Sequence, residues 1–159
     1  MRPNKRLGQN FLSDKKILAK ILEAGEISPS DVVLEVGPGK GNLTELLAAR
    51  AKKVIAVEKD ARLVAWLKEH KKWSNVEIIS GDILKIPPYK LPATSYKLVA
   101  NIPYYLTSRF LKTFLTAEHK PKIMALMVQY EVAKRVTARP GEMNLLALSV
   151  QAFGKPKMI

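Results

Sequence analysis

The segment Asn101-Ile102-Pro103-Tyr104 carries the functional groups that would hold an exocyclic amino nitrogen for reaction. The amino nitrogen of a base such as adenine is a weak nucleophile because its lone pair is delocalised into the ring. The Asn101 side-chain oxygen and the backbone carbonyl of Ile102 or Pro103 can accept its two N–H bonds, which would localise the lone pair. Tyr104 can stack on a base that has been taken out of its helix. The same residue types are common in turns that end strands, so the segment alone leaves both interpretations open.

A glycine-rich motif, Glu35-Val-Gly37-Pro-Gly39-Lys-Gly41, begins within the short apolar run Val32–Val36 and forms the loop after it. Glycines let the backbone turn tightly and approach a ligand closely. The carboxyl end of a first strand is also where doubly wound sheets bind nucleotides. A dinucleotide fingerprint requires the spacing G-x-G-x-x-G, and here Asn42 stands where its last glycine would be. The spacing favours a nucleoside-like ligand without a pyrophosphate, although the motif alone also fits a plain structural turn.

Two acidic residues follow the next two predicted strands. Glu58 comes at the end of the second, where a carboxylate can accept both hydroxyls of a ribose. Asp82 follows the third, where it can accept from an adenine amino group while Ile83 packs on the ring. Either acid alone could be a surface residue. Two acids after consecutive strands, downstream of the glycine loop, favour a nucleoside site.

Short apolar runs alternate with segments of helical spacing along the chain. The runs predict strands at Val32–Val36, Val54–Val57, Val76–Ile79, Tyr96–Ala100 and Ile123–Val128. The helical spacing predicts helices over Asn42–Ala51, from an Asp60 cap to about His70, Leu106–Thr116 and Asn144–Phe153. This alternation predicts an α/β fold with a doubly wound, mostly parallel sheet that is covered on both faces. We expect Trp66 and Trp73 to pack on that sheet.

The order of the glycine loop, Glu58 and Asp82 resembles the class I S-adenosylmethionine (SAM)-dependent methyltransferases. The resemblance implies a Rossmann-like fold and SAM as cofactor. The cofactor contacts that it implies are Gly37, Gly39, Gly41, Glu58, Lys59, Asp82, Ile83 and Asn101. Asn101 to Tyr104 resemble the N-[LI]-P-[YF] motif of methyltransferases that act on exocyclic amino nitrogens, which implies catalytic roles for Asn101, Ile102, Pro103 and Tyr104.

The N-terminal segment Lys5-Arg-Leu-Gly8-Gln9-Asn10-Phe11-Leu12 indicates the subfamily. It resembles the K-x-x-G-Q-[NH]-F-L signature of the KsgA-type 16S ribosomal RNA adenine dimethyltransferases and of the related Erm 23S enzymes. The resemblance implies that the segment folds over the cofactor, with Asn10 and Leu12 in contact with SAM and Gln9 beside it. Met127 to Arg135 resembles the KsgA-type segment more than its Erm counterpart. A basic arm without fixed structure is the alternative for the first residues.

The overall charge favours a polyanionic partner. The sequence has 159 residues and a formal net charge of +13, with six bases and one acid in its first twenty residues. The family resemblance implies ribosomal RNA, within the small ribosomal subunit, as the partner. The absence of cysteine excludes disulfides and favours a cytoplasmic location. His70 and His119 stand apart from other ligand types, so we expect no metal site. We also expect no membrane-spanning segment. We expect the protein to be a monomer.

We interpret residues 1–159 as one SAM-binding methyltransferase domain, with a basic arm and a cofactor-covering motif in residues 1–12. Members of the family that it resembles continue past this point with a further strand, a proline-rich loop and a C-terminal helical domain. We expect this sequence to lack these parts. Our hypothesis is dimethylation of adenine N6 at adjacent adenosines of 16S ribosomal RNA during ribosome biogenesis.

Four alternatives stay open. Within the methyltransferases they are an Erm-type 23S enzyme, associated with antibiotic resistance, and a fragment that binds SAM with little activity. The third is a nicotinamide-dependent oxidoreductase, which the glycine spacing and the segment from Asn101 disfavour. The fourth is a non-catalytic ribosome-binding module with the same fold.

Overall fold

The computed structural model describes residue 9 and residues 11–86, 91, 95–103 and 106–159. Two predicted site residues, Asn10 and Tyr104, lie outside the described residues, as do residues 1–8 of the predicted arm. All other predicted site residues are described.

Strands and helices alternate along the described chain, as the hydrophobic pattern predicts. The strands are β1 (Val32–Val36), β2 (Lys53–Glu58), β3 (Val76–Ser80), β4 (Lys97–Asn101) and β5 (Ile123–Met127). The helices are α1 (Lys15–Ala24), α2 (Asn42–Ala48), α3 (Ala61–His70), α4 (Thr107–Leu115), α5 (Tyr130–Val136) and α6 (Leu145–Gln151).

The five strands form one sheet in the order β3-β2-β1-β4-β5, and every neighbouring pair is parallel. The prediction of a doubly wound parallel sheet is therefore confirmed. The chain winds outward from β1 to β3 and then returns to β4 on the other side of β1. Such a reversal opens a crevice at the carboxyl ends of the two central strands. Because Val36 pairs with Ala100, the loop after β1 and Asn101 at the end of β4 lie side by side.

The core has two parts. One contains Leu18, Ile21 and Leu22 of α1, Leu43 and Leu47 of α2, and sheet residues that include Val33 and Val99. The other contains Phe110 and Phe114 of α4 with sheet residues that include Leu34 and Leu98. Successive side chains of a strand point to opposite faces. The alternation of Val33 and Leu34 thus gives each face of the sheet its own apolar cover.

Side-chain caps fix where several helices begin. Asp60 accepts a hydrogen bond from the Arg62 amide at 3.0 Å, which confirms its predicted role as the cap of α3. Asp14 caps α1 in the same way, and Asn144 caps α6. Helix α2 ends three residues before Ala51, the predicted end. The Arg50 amide donates to Leu47 O at 3.1 Å, and this tighter turn closes the helix.

The packing predicted for the two tryptophans needs correction. Trp66 and Trp73 are half-buried, and neither belongs to the buried core. Trp66 stacks on His70, one turn further along α3, with ring centroids 5.0 Å apart. Trp73 lies close to Gly41. None of the helices in the described part of the chain is long and apolar enough to cross a bilayer.

Candidate functional site

A small cleft, open to solvent, lies at the carboxyl ends of β1 and β4. The residues that line it include the glycine loop from Gly37 to Lys40 together with Leu12, Glu35, Asn42 and Asn101. The tertiary structure thus brings together Leu12, Gly37, Gly39 and Asn101, which are far apart in the sequence. Their meeting place is the crevice where doubly wound sheets bind ligands.

The glycine loop has a backbone that side chains rarely adopt. Gly37, Gly39 and Gly41 have φ angles of 75°, 60° and 78°. The Gly37 amide donates to Val57 O at 2.9 Å, and the Gly41 amide donates to Pro38 O at 2.8 Å. These two bonds fold the loop back on itself and fasten it to β2.

Replacing Gly41 with Ala is expected to destabilise the protein by about 2–4 kcal/mol. A Cβ atom at this position would lie 2.8 Å from Trp73 Cη2 and 3.0 Å from Leu67 Cδ2, so the tryptophan ring must shift. The positive φ adds backbone strain. Urea unfolding followed by circular dichroism would measure the loss.

Gly141→Ala is the matched control for the Gly41 variant. Gly141 has a φ of 95°, but a Cβ there would meet nothing within 4 Å. Its cost should be the backbone strain alone, about 1 kcal/mol. Equal losses in the two variants would show that contact with Trp73 and Leu67 does not restrict residue 41.

Glu58 ties the glycine loop to the end of β2. Its side chain is buried, and Oε2 accepts from the Gly39 amide at 3.1 Å while Oε1 accepts from the Asp60 amide at 2.9 Å. Each carboxylate oxygen has a second lone pair, so these bonds leave capacity for further donors. The role of Glu58 at a ribose stays a prediction.

Lys59 and Asp82 form an ion pair at the ends of β2 and β3. Lys59 Nζ lies 3.0 Å from Asp82 Oδ2, and Asp82 Oδ1 accepts from the Leu84 amide at 3.1 Å. Burial raises the pKa of Asp82, but the hydrogen bonds from Lys59 and Leu84 outweigh it and leave the pKa below its usual value. Ile83 is buried in the core beneath. The structure therefore holds Asp82 ionised and fixed in orientation.

Asn101 ends β4 and faces the cleft. The next residue, Ile102, is buried and donates its amide to Met127 O at 3.2 Å. The Pro103 carbonyl accepts from the Leu106 amide at 3.0 Å, which starts the turn into α4. These bonds fix the backbone on both sides of the Ile102 carbonyl.

A model of the ribosomal RNA adenine dimethylase family matches residues 1–159 of the sequence. The chain belongs to this family. The family predicted from Lys5–Leu12 and Asn101–Tyr104 is thereby confirmed.

Curated relatives of this dimethylase-family chain are longer than it is. Ribosomal RNA small subunit methyltransferase A of Dehalococcoides mccartyi is 51% identical over 162 residues, which cover 100% of this chain and 56% of that protein. The enzyme of the same name from Alkaliphilus oremlandii is 41% identical over 98% of this chain and 57% of its own length. The chain therefore spans somewhat more than half the length of these relatives.

Solved structures show the same fold. A dimethyladenosine transferase from Plasmodium falciparum superposes with a TM-score of 0.79 and 33% identity, over 89% of this chain and 52% of that one. The 23S rRNA methyltransferase ErmE gives 0.70 and 35%, over 80% of this chain and 51% of that one. The predicted Rossmann-like fold of class I methyltransferases is confirmed.

The sequence interpretation placed Glu35 at the start of the glycine motif of this dimethylase-family chain but gave it no role in the site. Glu35 lines the cleft, yet only 1% of its surface is exposed, and its Oε2 has no hydrogen-bond partner among the described residues. Burial raises its pKa to about 8. The nearby Thr44 hydroxyl lowers the pKa of Glu35 somewhat, although its distance and angle do not make a hydrogen bond. The negative charge of Glu58 raises it further. One signal was available: an acid in the middle of the apolar run from Val32 to Val36.

No cluster suited to a metal ion occurs among the described residues. In that part of the chain, no three His, Cys, Asp or Glu side chains lie close enough together to hold a metal ion.

Proposed function

We propose that this chain is the catalytic part of a SAM-dependent methyltransferase that dimethylates adenine N6 in small-subunit ribosomal RNA. The observation that carries the proposal is the position of Asn101, which faces the same cleft as the glycine loop at the switch between β1 and β4. A donor bound on the loop and an amine held by Asn101 would therefore meet without any change of fold.

The residues around the cleft fit a cationic nucleoside. Glu58 and Asp82 supply acidic side chains after the next two strands, beyond the residues that line the cleft. Glu35, which keeps its proton near neutral pH, offers a buried carboxyl oxygen without a hydrogen-bond partner among the described residues. The left-handed backbone at Gly37 and Gly39 lets the loop approach a ligand closely. We assign the ribose to Glu58 and the adenine to Asp82 and Ile83, with Lys59 and Gly41 in support. When bound, SAM supplies an electrophilic methyl group on a sulfonium.

The acceptor amine would be held by two oxygens. Asn101 Oδ1 accepts one N–H of the adenine amino group, and the Ile102 carbonyl accepts the other. We favour Ile102 over Pro103 because the Pro103 carbonyl is directed into the turn that leads to α4, where it accepts from the Leu106 amide. The two bonds localise the nitrogen lone pair and direct it at the methyl group, so that orientation supplies much of the rate. Tyr104 completes the site by stacking on the base.

Proton loss follows transfer in this scheme. Transfer would place the methyl carbon and a positive charge on the nitrogen that Asn101 and Ile102 hold, and S-adenosylhomocysteine would be the neutral product. The methylated ammonium is acidic and gives its proton to water, so the step needs no strong base. Repeating the cycle on the same nitrogen gives the dimethylated product.

One observation favours the small subunit as the substrate. Relatives that carry the name small subunit methyltransferase A are 41–51% identical, whereas ErmE is 35% identical. The net charge of +13 fits a polyanionic RNA of either kind. A 23S substrate is therefore the alternative for the test.

Transfer of labelled methyl groups from SAM should be seen with small ribosomal subunits and not with 23S RNA or large subunits. Nucleoside analysis of the product should show N6,N6-dimethyladenosine. Preferential labelling of 23S RNA would reverse the substrate assignment, and failure of SAM to bind in calorimetry would refute the proposal.

A further inference from the structure

We infer that Asn42 and Asp60 are positioning residues that hold an N-terminal strap across the cleft and thereby set how fast the cofactor enters and its product leaves. The strap comprises Gln9, Phe11 and Leu12. The inference rests on the proposed function, because it takes SAM as the ligand of the cleft. Phe11 and Leu12 line the cleft, so a strap that stays in place restricts its opening.

Asn42 forms the first anchor. Its Nδ2 donates to the Leu12 carbonyl at 2.8 Å, across a separation of thirty residues. Asn42 is the first residue of α2, directly after Gly41, which caps the helix without a side chain. The Asn42 amide therefore joins the start of α2 to the strap.

Asp60, the cap of α3, forms the second anchor. Its Oδ2 accepts from Gln9 Nε2 at 3.0 Å and from the Arg62 guanidinium at 2.7 Å. The hydrogen bond from Arg62, with a smaller contribution from Gln9, holds the pKa of the buried Asp60 well below its usual value. The second anchor therefore keeps its charge throughout the neutral pH range.

The glycine loop lies between the two anchors, beneath Phe11. A Cβ atom on Gly39 would lie 3.2 Å from Phe11 Cδ1, so the ring rests on the loop backbone. Lys40 Nζ lies 5.1 Å from the centre of the same ring. The strap is thus held at both ends and packed in the middle, and cofactor exchange requires it to lift.

Hydrogen exchange in the cofactor-free protein tests the anchors directly. Asn42→Ala, Asn42→Asp and Gln9→Ala should each speed amide exchange at Phe11 and Leu12 by about fivefold, the effect of losing one hydrogen bond. The aspartate variant should show the larger effect of the two at residue 42. Its carboxylate repels the Leu12 carbonyl, while a negative charge at the start of α2 favours the helix.

Release of S-adenosylhomocysteine provides the second measurement. Its dissociation rate, measured by rapid mixing with excess SAM, should rise by about five- to tenfold in the same variants. The association rate should not fall, because the strap opens more readily. A defect that only destabilised the fold would lower the melting temperature without raising the dissociation rate.

Gln151→Ala is the matched control. Gln151 Nε2 also joins two segments through backbone carbonyls, with bonds of 2.9 Å to Val136 O and Ala138 O. Its loss should lower the melting temperature and leave exchange at Phe11 and Leu12 unchanged. The inference is overturned if the variants at residues 9 and 42 behave as this control does. A wild-type chain that binds no SAM would instead count against the proposed function, while exchange at the strap would still decide whether the anchors hold it.

Discussion

Asn101→Ala should lower single-turnover methyl transfer by about 10²- to 10³-fold while SAM affinity changes only a few-fold. Removing the side-chain amide removes one of the two acceptors proposed for the adenine amino group. The lone pair would then stay delocalised, and the nitrogen would lose its orientation toward the methyl group. Because the glycine loop, Glu58 and Asp82 are left intact, cofactor binding should survive.

Two measurements separate catalysis from cofactor binding in the Asn101 variants. Rapid-quench transfer with small subunits gives the rate of the chemical step, and calorimetry gives the SAM dissociation constant. Asn101→Asp keeps an acceptor oxygen at the same position and should retain more activity than the alanine variant. Wild-type turnover in Asn101→Ala would remove Asn101 from the mechanism. Equal losses of affinity and rate would make it a cofactor contact only.

Glu35→Gln should gain stability over the wild-type chain as the pH rises from about 4.5 to about 8. The folded-state pKa of Glu35 is about 8 because burial disfavours its charged form, whereas the ordinary value is 4.5. Below both pKa values the carboxyl is neutral in the folded and in the unfolded chain, so its titration does not change the free energy of unfolding. Between them the unfolded chain ionises and the folded chain does not, so wild-type stability falls by about 1.4 kcal/mol per pH unit.

The stability difference between Glu35→Gln and wild type should therefore widen by about 2–3 kcal/mol between pH 5 and pH 7. Above about pH 8 it should become constant. Urea unfolding of the cofactor-free proteins at several pH values measures it, and other titrating groups cancel in the difference. A glutamine of the same size leaves the packing beside Thr44 largely unchanged.

Glu45→Gln on the adjacent helix α2 is the control for Glu35. The hydrogen bond from Lys71 lowers the pKa of Glu45, so its contribution is present above pH 4.5 and is lost only in acid. The difference between this variant and wild type should be flat from pH 5 to pH 8. A flat difference for Glu35→Gln as well would mean that Glu35 is already ionised in the folded protein.

Local patterns were sufficient to predict most elements of the fold. The period of the apolar residues indicated all five strands and the helices α2, α3, α4 and α6, because each buries a face whose spacing is visible in the sequence. Helix α5 escaped prediction because it has only seven residues, and its apolar face of Val132, Ala133 and Val136 is half-buried and too short to show a clear period. Helix α1 does have an apolar stripe, in which Leu18, Ile21 and Leu22 are buried. It was not predicted, because its lysines were interpreted as part of the basic N-terminal segment.

The motifs of the candidate site were also readable from the sequence. Residue type and spacing were sufficient to predict the glycine loop and the family, because the motifs that carry them are local. The roles of Asn101 to Tyr104 stay predictions. Contacts between distant segments had no local signal. The bonds from Asn42 to Leu12 and from Gln9 to Asp60, and the ion pair between Lys59 and Asp82, depend on how the ends of strands and helices meet.

The sequence by itself therefore determined the kind of chemistry and the order of the elements, since both are written in local residue types and periods. Only the tertiary structure decided which strands are neighbours, and so which loops share a cleft. It alone revealed that Glu35 loses its water and keeps its proton near neutral pH. Desolvation is a property of everything packed around a side chain, and no stretch of neighbouring residues encodes it.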